Sequence, residues 1–150
     1  MMVTPLEALE VMNYLNVHSM KNDELKDKIS KTIQQYRLEH PAGPRGKTLV
    51  RKTYTCPFFN HQELGCPLPR EIKPYGCLAF NAHDKEKKAG EFCYSDLKIQ
   101  ESRAKNNMWE DQKNVDLKKK FNIWWEKTPL PLALIELWDH SISDEDLLPS

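Results

Sequence analysis

The amino-acid sequence has no long hydrophobic run, no excess of either charge and no glycine-rich cofactor loop. A membrane-spanning helix needs roughly 20 consecutive apolar residues, whereas the most apolar segment, 130–138, is short and contains Glu136. Lys plus Arg and Asp plus Glu both number 22, so the net charge of zero does not favour nucleic acid or anionic lipid as a partner. Glu7 and Glu10 interrupt the first apolar stretch, which therefore does not resemble a secretory signal peptide. We expect a soluble cytoplasmic protein.

The 150 residues suit one domain, and its two ends carry helical patterns. The motif Thr4-Pro-Leu-Glu7 has the form of a capping box and predicts the start of a helix. A second amphipathic helix is predicted from Asn22, and we expect the two to pack as a hairpin over 1–40. Helices are predicted again over 95–140, and the acidic stretch 141–150 is expected to be a frayed tail.

In the C-terminal helical region we also predict a further short helix and a buried aromatic face. Thr128-Pro129 is predicted to start a short helix that ends near Asp139. An aromatic-rich face precedes it and is assigned to the core; its members are Trp109, Val115, Leu117, Phe121, Trp124 and Trp125.

The middle segment, 41–94, has no sustained helical period and is rich in proline. Such a segment loses conformational entropy on ordering without long helices or sheets to compensate, and a metal cross-link is one established way to supply the difference. The fold class expected is therefore mainly α: a small helical domain with an irregular cysteine loop region stapled by metal.

All four cysteines, Cys56, Cys66, Cys77 and Cys93, lie in this segment, and we predict that they are metal ligands. In a chain that is not exported, reduced thiols are available as ligands or nucleophiles. The spacing C-x9-C-x10-C-x15-C lacks the C-x2-C pairs of zinc ribbons. However, each cysteine has a proline or glycine within three residues, which lets the backbone bend and lets amides approach sulfur.

Other interpretations of the same residues remain open. The cysteines could be small buried hydrophobic residues, although their clustering in one segment favours a site. His61 and His83 are reserve ligands. A thiol nucleophile would pair Cys66 with His61 or Cys77 with His83, but no Asp or Asn stands out to orient the histidine.

The elements Cys56-Pro-Phe-Phe59, Gly65-Cys66, Lys73-Pro74 and Cys77-Leu-Ala-Phe80, followed by Cys93, resemble the YkgJ-type cysteine-cluster family. That family is described as a zinc- or iron-chelating domain, and the resemblance implies that the four cysteines each take a family cysteine position. The family's N-terminal C-x-x-C-x-x-C-C-like cluster has no counterpart here, so either one four-cysteine site is retained or the upstream cluster lies outside this chain.

Four cysteinates suit structural zinc and a [4Fe-4S] cluster equally well, so the metal stays undecided. We expect a non-enzymatic metal-binding protein whose site organises a surface for a protein partner. The alternative is an iron-sulfur redox protein or an accessory component of an enzyme.

Overall fold

A computed structural model describes residues 1–39, 54–62, 65–69, 71–78 and 97–148 of the chain. The described part is mainly helical, which confirms the expected fold class. In chain order its elements are β1 (Met2–Val3), α1 (Pro5–Val17), α2 (Asp23–Tyr36), α3 (Tyr75–Leu78), α4 (Leu97–Phe121), β2 (Thr128–Pro129), α5 (Leu130–Glu136) and α6 (Asp144–Leu147).

Helix α1 is the central element of the core. The predicted capping box is present: the Glu7 backbone N–H donates to Thr4 Oγ1 at 3.4 Å, and the Thr4 backbone N–H donates to Glu7 Oε2 at 2.8 Å. Helices α4, α5 and α6 all contact α1. Because it has neighbours on several sides, α1 buries more than one face, and its buried residues are Pro5, Leu6, Glu7, Ala8, Leu9, Val11, Met12 and Leu15.

Helix α2 begins where the sequence predicts, with Asn22 Oδ1 accepting a hydrogen bond from the backbone of Leu25 at 2.9 Å. Its packing differs from the expected hairpin. The principal partner of α2 is α5 rather than α1, and Ile29 and Ile33 supply its buried face. Helix α5 is short but strongly apolar, and its Leu134 is fully buried.

A two-stranded antiparallel sheet joins the N-terminal residues to the segment before α5. Met2 pairs with Pro129 and Val3 pairs with Thr128. The short helix predicted to start at Thr128-Pro129 is present as α5, with Pro129 as its N-cap, but it covers only Leu130–Glu136, and Thr128 and Pro129 themselves form the strand. The paired residues lie far apart in sequence, so no local sequence pattern predicts this pairing.

The aromatic-rich face of the C-terminal region divides into buried and exposed residues. Leu117, Phe121 and Trp125 are buried, as expected of core residues. Trp109, Val115 and Trp124 do not fit that assignment: their exposed fractions are 40%, 44% and 82%. Trp109 and Val115 lie on α4, which turns its residues through all directions, so only those on the side facing α1 reach the core, whereas Trp124 follows the end of that helix.

The C-terminal stretch is structured as far as residue 148, in contrast to the expected frayed tail. Helix α6 contacts α1, and Asn13 donates to Asp144 Oδ1 at 2.6 Å. Asp146 forms an ion pair with Lys120, and the Lys113 ammonium donates to the Leu148 carbonyl. These contacts tie the end of the described chain to α1 and α4. Among the helices described, none has the length and apolar character of a bilayer-spanning segment.

Candidate metal centre

Cys56 and Cys66 lie at the two ends of a chain reversal. The Phe59 backbone N–H donates to the Cys56 carbonyl at 3.0 Å, which closes a turn directly after the first cysteine. Asn60 and Gly65 then form an antiparallel bridge, with N–H to carbonyl distances of 2.7 and 3.2 Å. Because the chain folds back on itself here, the two cysteines return to the same region.

Apolar side chains hold this segment as well. Phe58 and Leu68 are 5% and 3% exposed and belong to the main hydrophobic core, and Cys56 and Cys66 pack against that core. Burying one such side chain stabilises the fold by about 1.5–3 kcal/mol relative to leaving it exposed. The segment is thus anchored by hydrophobic burial in addition to any metal. This burial could not be predicted from the sequence, because the segment has no helical periodicity that would mark a buried face.

Cys77 lies on the short helix α3, which packs against α4 and is hydrogen-bonded to α1. Pro74 is buried before the helix, and its carbonyl accepts from the Cys77 backbone N–H at 2.8 Å. The Tyr75 backbone N–H donates to Glu7 Oε1 at 2.9 Å, so the carboxylate that caps α1 also holds the start of α3. The third cysteine is therefore positioned by α4 together with the Glu7 carboxylate of α1.

The three described thiols interact electrostatically. Burial, with smaller contributions from Cys56 and Cys66, raises the pKa of Cys77 to about 12. Burial also raises the pKa of Cys56, with Cys66 adding to the effect. Cys56, Cys66 and Cys77 are free thiols rather than disulfide partners. At neutral pH and without a bound cation, Cys56 and Cys77 are thus protonated.

The structure brings three of the four predicted ligands into one neighbourhood, while Cys93 lies outside the described residues. Within the described ranges, no group of three or more His, Cys, Asp or Glu side chains has the geometry of a metal site. His61 is exposed and packs edge-on against Phe59, with ring centroids 4.9 Å apart. His83 and Phe80 also fall outside the described residues.

Met1 is a neighbour of the cysteines that the sequence did not indicate. The Cys77 thiol donates to Met1 Sδ, with the two sulfur atoms 3.0 Å apart. A Cβ atom at Gly76 would lie 3.0 Å from Met1 Cγ and 3.5 Å from Met1 Sδ, so glycine makes room for the thioether. The two sulfurs are 76 positions apart in sequence, so inspection of the sequence does not reveal their proximity.

Tyr54 fixes the backbone of Met1 beside the thiols. Its hydroxyl donates to the Met1 carbonyl at 2.6 Å and accepts from the Leu130 backbone N–H at 3.2 Å. Burial raises the pKa of Tyr54 above its ordinary value, and the neighbouring Cys56 adds to the rise. The phenol therefore stays protonated and links the N-terminal strand, the cysteine segment and the start of α5.

Two clefts border this region. One, of about 460 Å³, lies between α1, α3 and α4 and is lined in part by Glu10, Glu71, Lys73 and Trp109. The other, of about 320 Å³, reaches Cys56 from the α2 side, and its remaining lining residues are Lys28, Lys31, Thr32, Gln35, Tyr36, Thr55, Pro57, Phe59 and His61. The second cleft gives the cysteine neighbourhood a basic and partly aromatic border.

Comparison of the chain with protein-family models, with curated proteins and with solved structures finds no match. The resemblance to the YkgJ-type family accordingly stays a prediction that rests on the motif residues alone.

Proposed function

We propose that this protein binds a metal through a cysteine cluster, with Cys56, Cys66, Cys77 and Cys93 holding either zinc or a [4Fe-4S] cluster. The main support is the convergence of three of these thiols, which are free and partly buried; Cys66 lies close enough to raise the pKa of Cys56, and both raise the pKa of Cys77. A bound cation would instead lower the pKa of these thiols, because it stabilises thiolates that would otherwise repel one another.

The proposed role of the metal is to order the cysteine segment as an interaction surface for a protein partner. The cleft beside Cys56 supports this role, since it combines Lys28 and Lys31 with the rings of Phe59 and His61. Basic and aromatic groups together suit a partner that presents acidic and apolar side chains. Free thiols also support the proposal that the protein works in a reducing compartment such as the cytoplasm.

Metal analysis of the full chain, purified anaerobically without added metal, tests the proposal. We expect either one zinc per chain, or iron with acid-labile sulfide and visible absorbance. Single Cys→Ser variants at the four positions should each lower the metal content, whereas His61→Ala should leave it unchanged. No metal, together with four titratable thiols and an unchanged circular dichroism spectrum, would overturn the proposal.

The same experiment addresses the alternative of an iron-sulfur redox protein or an accessory component of an enzyme. A cluster that is reduced and reoxidised reversibly, monitored by visible absorbance, would support the redox role. A colourless protein with stoichiometric zinc would count against it, because zinc has no accessible redox change.

A further inference from the structure

We propose that Ser143 is a phosphorylation site for a serine kinase with a basic substrate groove, and that its modification releases α6 from α1 and α4. The carrying observation is the hydrogen bond from the exposed Ser143 hydroxyl to Asp146 Oδ2, at 3.0 Å. No cysteine takes part, so the site is independent of the proposed metal cluster.

The residues around Ser143 suit a kinase that selects acidic substrates. Ser143 is the only serine or threonine of the chain that is followed directly by three acidic residues, at 144–146. No lysine or arginine lies between positions 128 and 150. Kinases discriminate substrates partly by such charge patterns, because basic side chains in the substrate groove attract acidic side chains and repel basic ones. The segment therefore fits a basic groove.

The structure leaves this serine accessible. Residues 140–143 belong to no helix or strand, and Ser143 has a φ of −116° and a ψ of 160°, which is an extended conformation. Ser143, Asp144 and Glu145 are exposed. Helix α6 has only four residues, so little hydrogen-bonded structure has to open before a kinase reaches the hydroxyl. Ile142 is buried and keeps the chain anchored on the N-terminal side of the site.

The modification is a phosphoryl transfer from ATP. Ser143 Oγ forms a bond to the γ-phosphorus, the bond from that phosphorus to the β–γ bridging oxygen breaks, and ADP leaves with the electron pair. The hydroxyl proton passes to the catalytic aspartate of the kinase. Ser143 thereby exchanges a hydrogen-bond donor for a group with a charge of about −1.5 to −2 at pH 7.

Phosphorylation acts directly on the contacts that hold α6. The hydroxyl and the backbone N–H of Ser143 both donate to Asp146 Oδ2, at 3.0 and 2.9 Å, and the other oxygen of that carboxylate pairs with Lys120. A phosphate lacks the donor proton and repels the carboxylate. Asp144 and Glu145 add further negative charge, so repulsion outweighs the small dipole of a four-residue helix.

Release of α6 would uncover polar groups on its two neighbouring helices. Asn13 on α1 would lose its hydrogen bond to Asp144. The Lys113 ammonium on α4, whose side chain is buried, would lose the Leu148 carbonyl. The main core would stay closed, because α1, α2 and α5 contact one another without α6.

The first test is incubation of the folded full chain with ATP and an acid-directed serine kinase, followed by peptide mapping by mass spectrometry. We expect phosphate at Ser143 and none at this position in the Ser143→Ala variant. Ser141 is the internal control: it is also exposed, but only one acidic residue, Asp144, lies within the three positions that follow it. A folded chain that takes up no phosphate at Ser143, or takes it up equally at Ser141, would overturn the proposal.

The second test is hydrogen exchange of the phosphorylated protein. Amide exchange over 144–148 should be on the order of tenfold faster than in the unmodified chain, while exchange in α5 stays unchanged. Ser143→Ala removes the donor without adding charge, so it should accelerate exchange less than the phosphate does. Unchanged exchange over 144–148 after phosphorylation, or equal acceleration in α5, would contradict a local release of α6 and overturn the proposal.

Discussion

Glu7 and Tyr75 are joined by a hydrogen bond of 2.9 Å, from the backbone N–H of Tyr75 to the Glu7 carboxylate, across 68 positions of sequence. The same carboxylate caps α1 through the backbone of Thr4. Glu7 is only 6% exposed, so one buried side chain links the central helix to the short helix that carries Cys77.

Glu7→Ala should destabilise the protein by about 2–4 kcal/mol, because it leaves two backbone N–H groups without their acceptor. The free energy of unfolding in urea, measured by circular dichroism, checks this. Glu24→Ala removes an exposed carboxylate from the first turn of α2 and should cost less than about 1 kcal/mol. Equal losses in the two variants would contradict the linking role of Glu7.

Glu10 should make the protein less stable as pH rises from about 4.5 to 7. Its pKa is raised to about 7, first by burial and then by Glu7 and Glu110, so the folded state holds the proton more tightly than the unfolded chain. The stability is therefore present below the unfolded pKa and is lost as Glu10 ionises.

Glu10→Gln should remove this dependence and gain on the order of 1–3 kcal/mol over the wild type above pH 7, with little difference near pH 4. Urea unfolding of both proteins across this range measures the difference. A constant difference between the two proteins at every pH would show that Glu10 ionises normally in the fold.

Tyr54→Phe should destabilise the protein by about 1–3 kcal/mol, because the Met1 carbonyl and the Leu130 N–H lose a partly buried partner. Tyr36→Phe is the matched control. Its hydroxyl makes an exposed 3.1 Å hydrogen bond to Thr55, so we expect a change below about 0.5 kcal/mol. Thermal unfolding of the two variants compares them directly, and a larger loss for Tyr36→Phe would refute the assignment.

Cys77 should react slowly with iodoacetamide in protein from which metal has been removed. Its pKa of about 12 leaves little thiolate at pH 8, so alkylation should be at least about a hundredfold slower than in the denatured chain. The rate should also continue to rise above pH 9, where an ordinary thiol levels off. Peptide mapping by mass spectrometry follows the site, and native and denatured rates that agree would exclude the buried environment.

Local signals were enough to predict the helix starts. Thr4 with Glu7 and the Asn22 cap act within one turn of backbone, so their sequence neighbours carry all the information. The clustering of the cysteines predicts a common site; in the structure Cys56, Cys66 and Cys77 are close enough to interact electrostatically, but within the described residues they do not form a group with metal-site geometry. The metal geometry and the position of Cys93 stay predictions.

Packing partners were harder to predict, because apolar periodicity shows that a face is buried but not what buries it. Ile29 and Ile33 gave the buried face of α2 correctly, yet their partner is α5 rather than α1. Trp124 and Trp125 are adjacent and chemically identical, and their exposed fractions are 82% and 5%. Only the direction of the backbone after α4 distinguishes them.

The sequence by itself determined the helical class, the caps of the first two helices and the set of thiols, since each depends on residue type and on neighbours within a few positions. Only the tertiary structure decided that the Met1 sulfur meets Cys77 and that Glu7 holds α3, because these contacts join segments about 70 residues apart. They exist because burial of the core brings the N-terminal strand, α1 and the cysteine segment to the same side of the molecule.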